Sequence, residues 1–139
     1  MKSFTKTLSI NTDAPQTMVN VTGSLRGVVR DSGVQNGTMY VFVPHTTAAV
    51  TINENADPDV VKDMLLGLDK AFPDRREFAH LEGNSHAHIK SSCVGVEQTL
   101  IVEEGHLILG TWQGVYFCEF DGPRTRKIIV RVQGDPDDA

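Results

Sequence analysis

Cysteine is scarce: Cys93 and Cys118 are the two thiols in 139 residues. That excludes a disulfide-stapled scaffold, and the pair lacks any metal-finger spacing, so reduced and partly buried thiols are expected. No apolar run approaches the roughly 18 to 20 residues of a membrane helix. The opening Met1-Lys2-Ser3-Phe4-Thr5-Lys6 passes straight into alternating sequence without the apolar block of a secretory signal. No membrane association and a cytoplasmic location are therefore expected. An excess of positive charge is missing as well. The 13 Lys and Arg face 18 Asp and Glu, a net charge of −5, which argues against a general nucleic-acid binder. Familiar cofactor and nucleophile signatures are also absent. There is no HExxH, no GxGxxG and no GxSxG elbow, and Gly105 to Gly110 lacks the Lys-Ser/Thr that completes a phosphate loop.

What is present is a globular mixture, 40% apolar and 22% charged, in a chain long enough for one domain over residues 1–139 with an unstapled core. Thr5–Asn11 and Thr17–Thr22 alternate as strands around the Asp13-Ala14-Pro15 turn. Ser24 is the expected N-cap of a short helix reaching Asp31, with Gly33 as its stop. Thr38–Pro44 and Ala48–Asn53 read as extended. Asp57-Pro58 opens a helix carrying Val60, Val61, Met64, Leu65 and Leu68 at helical spacing, ended by Pro73. Ser85 is expected to cap a helix through Val94. The last third, Thr99–Val102, Leu107–Leu109, Thr111–Phe120 and Lys127–Val132, is strand and turn, followed by an acidic tail at 135–139 expected to fray. The pattern predicts a single α+β domain with a mostly antiparallel sheet.

Chemistry-bearing residues concentrate in a few places. Histidines stand at 45, 80, 86, 88 and 106, and three imidazoles plus water form an open zinc-type site. In a helix, His86 and His88 point about 200° apart, so one of the two faces any site. Glu54, next to Asn55, is free to serve as base or metal partner, or simply to be solvated. Trp112 and Gln113 lie between Gly110 and Gly114, a spacing that suggests close backbone approach or a bulge. Alternation assigns Tyr116, Cys118 and Phe120 to one face and Val115, Phe117 and Glu119 to the other. Arg124, Arg126 and Lys127 suit phosphate oxygens or protect a sheet edge, and Lys90 with Ser91 offers a second anion contact.

Taken together, His45-Thr46-Thr47-Ala48-Ala49, Thr51-Ile52-Asn53-Glu54-Asn55-Ala56-Asp57-Pro58, Ala87-His88-Ile89-Lys90-Ser91-Ser92 and Gly110-Thr111-Trp112-Gln113-Gly114 resemble the YjbQ family, also called the secondary thiamine-phosphate synthase family. The likeness runs from about Leu8 to Gln133. It implies a compact α+β fold with a β-sandwich-like core, a homotrimer, and a histidine-lined metal site. Position by position it implies His45, His80 and His88 as metal ligands. Glu54, Asn55 and Gln113 become catalytic candidates, and Thr46, Lys90, Ser91, Trp112, Arg124 and Arg126 substrate-binding ones. His86 and His106 fall outside the ligand set.

The implied reaction joins a pyrimidine pyrophosphate to a thiazole phosphate, as principal or side activity. The implied metal is zinc, with magnesium the alternative beside a pyrophosphate. Two other readings accompany it. One is a zinc-type metallohydrolase of a small phosphorylated substrate with Glu54 as base. The other is a non-catalytic trimer that binds a metal or small ligand.

Overall fold

The computed structural model describes residues 1–136. In chain order its elements are β1 (Lys2–Asn11), β2 (Thr17–Asn20), α1 (Thr22–Ser32), β3 (Asn36–Phe42), β4 (Ala48–Glu54), α2 (Pro58–Ala71), α3 (Ser85–Val94), β5 (Glu97–Glu103), β6 (His106–Leu107), β7 (Gln113–Glu119) and β8 (Thr125–Asp135). One sheet has the order β1-β8-β3-β5-β6 and the other β2-β7-β4, with every pair antiparallel. The α+β, sandwich-like expectation therefore holds. No helix of the described residues is long and apolar enough to cross a membrane.

Period-two alternation builds the core. Met39 and Val41 of β3, Leu100 and Val102 of β5, and Ile128, Val130 and Val132 of β8 all face inward, against Val50 of β4 and Val115 and Phe117 of β7. The opposite face of β7 carries Tyr116 and Cys118, which with Phe120, Met18, Ala49 and Ala87 form a second apolar cluster under α2 and α3. The two-faced reading of this strand is therefore correct. None of α2's residues is fully buried, and Val61, Met64, Leu65 and Leu68 are half-buried.

Local details depart from expectation for identifiable reasons. Helix α1 starts at Thr22, not after a Ser24 cap. The Asn20 carboxamide oxygen accepts from the Thr22 N–H (3.0 Å) and hydroxyl (2.7 Å), fixing the entry three residues earlier. Gly33 ends the helix in the left-handed region (φ 70°), as expected. Asp57 caps α2 through the Asp59 N–H at 2.9 Å. At α3 the N-cap position falls to Asn84 rather than Ser85, and no side chain caps it: with Nδ2 donating to Glu82 and Asp121, the Asn84 Oδ1 meets no N–H of the helix. Asp135 is not frayed: it closes β8 opposite Asn36, and its carbonyl accepts from the Gln35 N–H at 2.8 Å. The remainder of that tail, 137–139, lies outside the described residues.

A buried ion pair fastens the two sheets together. Glu119 at the end of β7 is fully buried and accepts from Arg126 of β8, itself 5% exposed, with Nε–Oε1 at 2.9 Å and a second contact from Nη2 to Oε2. Thr12 donates to Glu119 Oε1 (2.7 Å), the Asp121 N–H donates to Oε2 (3.1 Å), and Arg126 Nη2 donates to Thr47 Oγ1 (2.8 Å). Burial alone pushes the Glu119 carboxyl up, but the bonds from Arg126, Thr12 and the Asp121 amide outweigh it and hold the group below its ordinary value of 4.5. Because the folded-state value is depressed, the stability Glu119 contributes is fully present above that ordinary value and is lost as pH falls through the lowered one. Glu119→Gln removes the charge and strands Arg126, so urea unfolding at neutral pH is expected to show a loss of about 3–5 kcal/mol.

Candidate functional site

The loop Val43 to Thr47 joins β3 in one sheet to β4 in the other, and hydrogen bonds to both sheets hold it, the Val43 N–H donating to the Val96 carbonyl at 2.8 Å. The Thr47 carbonyl accepts from the Phe120 N–H (3.1 Å), the Thr47 hydroxyl accepts from Arg126, and His45 Nε2 accepts from the Lys127 N–H (2.9 Å). A neutral imidazole that accepts at Nε2 carries its proton on Nδ1. Burial, and then the positive charge of Arg126, lowers the His45 pKa below 6.5, so the ring is held neutral with its one lone pair on the Lys127 N–H.

His45 faces α3 across a polar cleft of about 350 Å³ lined by Thr46, Glu82, Asn84, His88, Asp121 and Arg124, among others. A neighbouring hollow of about 390 Å³ shares His45, Thr46 and His88 and adds Ser91 and Ser92. His80, on the exposed loop before α3, sets its ring edge-on to His88 with centroids 5.7 Å apart. Its Nε2 lies 3.9 Å from Glu82 Oε1. His86 turns away from the cleft, as helical geometry requires, and its Nδ1 is 3.7 Å from Asp74.

Glu82, Asn84 and Asp121 escaped sequence reasoning, and the geometry makes them central to the cleft. Asn84 is buried, and its Nδ2 donates at 2.8 Å to both Glu82 and Asp121, holding two carboxylates side by side. Arg124 joins them, with Nε donating to the Asp121 carbonyl (2.7 Å) and Nη2 to its carboxylate (3.0 Å). The same Nη2 lies 3.8 Å from Glu82. The Asn84 carboxamide oxygen is buried without a partner. The available signal was the clustering of Glu82, Gly83 and Asn84 just before the helix carrying His88.

Other candidates are used by the fold. Arg126 borders the cleft but spends its guanidinium on Glu119 and Thr47. Lys90, 1% exposed, is paired with Asp69 and donates to Gln16 Oε1 at 2.7 Å. Ser91 donates to the Ala48 carbonyl at 2.6 Å, which docks α3 on β4.

Glu54, Asn55, Trp112 and Gln113 gather at the opposite end of β4. Its seven residues, at about 3.3 Å each, put that group roughly 20 Å from His45. There the Asn55 N–H donates to the Trp112 carbonyl (2.9 Å), and Gln113 Oε1 accepts from the Gly110 N–H (2.8 Å). Trp112 is 63% exposed. The close approach expected near these glycines is real: a Cβ on Gly114 would come within 2.9 Å of the Asn55 Cβ. Gly114→Ala is expected to push Asn55 aside, cost about 1–3 kcal/mol and shift Trp112 fluorescence. An unchanged emission spectrum and midpoint would contradict this packing.

A divalent metal is implied at His45, His80 and His88; imidazole nitrogens suit zinc-type ions, and His45 would have to release the Lys127 N–H from Nε2 to join them. The described residues contain no group of three His, Cys, Asp or Glu side chains already gathered tightly enough to hold one. The edge-on pair His80–His88 is a two-donor nucleus, with His45 lining the same cleft as His88.

Comparison with known proteins agrees with this architecture. The family model described as UPF0047 protein YjbQ-like matches residues 6–135. UPF0047 protein YugU of Bacillus subtilis is 52% identical over 130 residues, 93% of this chain and 98% of its own length. A crystal structure of an uncharacterised YjbQ/UPF0047-family protein from Clostridium acetobutylicum superposes with a TM-score of 0.90 at 52% identity, covering 92% of this chain and 99% of the other. A YbjQ-like protein of unknown function from Sulfolobus solfataricus gives 0.92 at 32% identity, covering 96% and 99%. Matched in sequence and in fold along nearly its whole length, the chain belongs to the YjbQ-like UPF0047 family.

Proposed function

We propose that the protein is a metal-dependent enzyme acting on a small phosphorylated substrate in the His45–His88 cleft. The observation that carries this reading is the meeting, from three separate segments, of His45, His88 and Arg124 with two carboxylates on one polar surface, with His80 edge-on to His88. His80 and His88 would hold a zinc-type ion, and His45 becomes the third donor when its Nε2 exchanges the Lys127 N–H for the ion. Such an ion supplies electrophilic polarisation of a phosphoryl oxygen. Arg124, half-exposed, and the Thr46 hydroxyl are the substrate contacts. Arg124's existing bonds to Asp121 keep its guanidinium plane fixed at the cleft edge.

Thiamine-phosphate synthase-type transfer, joining a pyrimidine pyrophosphate to a thiazole phosphate, is the first reaction to assay. The oxygens of Glu82 and Asp121 suit magnesium brought in with a pyrophosphate. Hydrolysis of a small phosphate ester is the second reading. The same carboxylates favour it, because each can accept a proton from water inside the cleft. Glu54, about 20 Å away along β4 in the same chain, does not reach that position. Self-association into a homotrimer completes the proposal. It is supported by the uncovered outer face of the five-stranded sheet, where Phe42 is 45% and Ile101 63% exposed.

Elemental analysis of untagged protein purified without added metal is expected to find close to one zinc-type ion per chain. His88→Ala and His80→Ala should lose it while remaining folded, and His106→Ala should keep it. Metal retained by His88→Ala, or no uptake after loading and desalting, overturns the ligand assignment. Sedimentation equilibrium is expected to give a three-chain particle, and a one-chain mass contradicts the assembly.

A further inference from the structure

A second cleft, of about 430 Å³, lies between α1 and the turn joining β5 to β6, and none of its residues lines the histidine cleft. Val29, Val34 and Leu107 give it an apolar floor. Arg26 and Arg30 stand four residues apart on α1, so their side chains emerge on one face, and His106 projects from the opposite wall. The only ion pair of Arg30 among the described residues is a 3.7 Å approach to its neighbour Asp31, and Arg26 and His106 have none. Two like charges one helical turn apart repel, and a bound anion would relieve that repulsion.

The far wall is preformed. Glu104 and Gly105 both adopt positive φ (51° and 77°), a turn that suits Gly or Asn and strains a Glu. It is held in place nonetheless. The Gly105 N–H donates to the Gln35 carbonyl (2.9 Å) and the Glu104 N–H to Asn36 Oδ1 (3.2 Å). The Gln35 side chain packs so closely that a Cβ on Gly105 would sit 3.0 Å from its Oε1. The backbone strain is thus offset by bonds that fix the position of His106 opposite the two arginines.

We propose that this cleft binds a small organic anion, a phosphate or carboxylate group carried on a compact apolar body. The guanidinium pair takes the anion and the Val29–Leu107 floor takes the body.

Amide NMR titration of the full chain with phenyl phosphate, benzoate and inorganic phosphate tests this. Saturable shifts are expected at Arg26, Arg30, Gly105 and His106 with phenyl phosphate or benzoate, and the tighter of the two identifies the head group. Inorganic phosphate should bind more weakly, since it leaves the floor empty. The double variant R26A/R30A, which alters two exposed side chains, should weaken binding by about tenfold or more, while R124A in the other cleft should leave it unchanged. Three results would overturn the proposal: no saturable shift with either organic anion, shifts that survive R26A/R30A, or shifts abolished by R124A. Equal affinity for inorganic phosphate would overturn the apolar half of it.

Discussion

The Glu119–Arg126 pair is the interaction on which the architecture of the site rests. Two opposite charges buried between sheets are costly to desolvate, and the cost is offset only when every lone pair and N–H finds a partner. Here the partners come from four separate places in the chain. Thr12 follows β1, Thr47 precedes β4, the Asp121 amide follows β7, and Arg126 belongs to β8. Satisfying the carboxylate and guanidinium therefore draws both sheets together at one end of the sandwich. The His45 loop crosses between the sheets at that same end.

The functional consequence is electrostatic as well as geometric. Burial, and next the charge of Arg126, keeps His45 neutral, while the Arg126 guanidinium bonds fix Thr47 two residues away. The Asp121 amide is spent on Glu119, which sets the direction of the Asp121 side chain toward Asn84 and Arg124. One buried carboxylate thus organises a neutral imidazole and an acidic-basic cluster in the same cleft. A neutral imidazole beside carboxylates and a guanidinium is the arrangement on which the proposed metal-assisted phosphoryl chemistry rests.

Much of the fold was legible in the sequence because its signals are local. The Asp57-Pro58 helix start, the Gly33 stop and the inward alternation of Val115 and Phe117 depend on a few neighbouring residues, and each stands where expected. What the sequence hid depends on distant partners. Ser24 looks like a cap, yet Asn20 reaches Thr22 first; Asn84 could cap α3, yet the two carboxylates that orient its Nδ2 leave its Oδ1 without an N–H. The site shows the same division. Spacing put His88 and His86 on opposite sides of a helix, but nothing local announced that Arg126 and Lys90 would be buried in ion pairs. The roughly 20 Å of β4 between His45 and the Trp112–Gln113 edge likewise became visible only once the strand register was known.

The most direct measurement on the histidine cleft is imidazole nitrogen NMR of uniformly ¹⁵N-labelled protein titrated with zinc. The resonances of His80 and His88 should shift together to metal-bound values, with His45 following, while His86 and His106 keep their free-ring positions. Shifts confined to His86 or His106, or none at a stoichiometric equivalent, would contradict a metal site in the cleft that the buried Glu119–Arg126 pair organises.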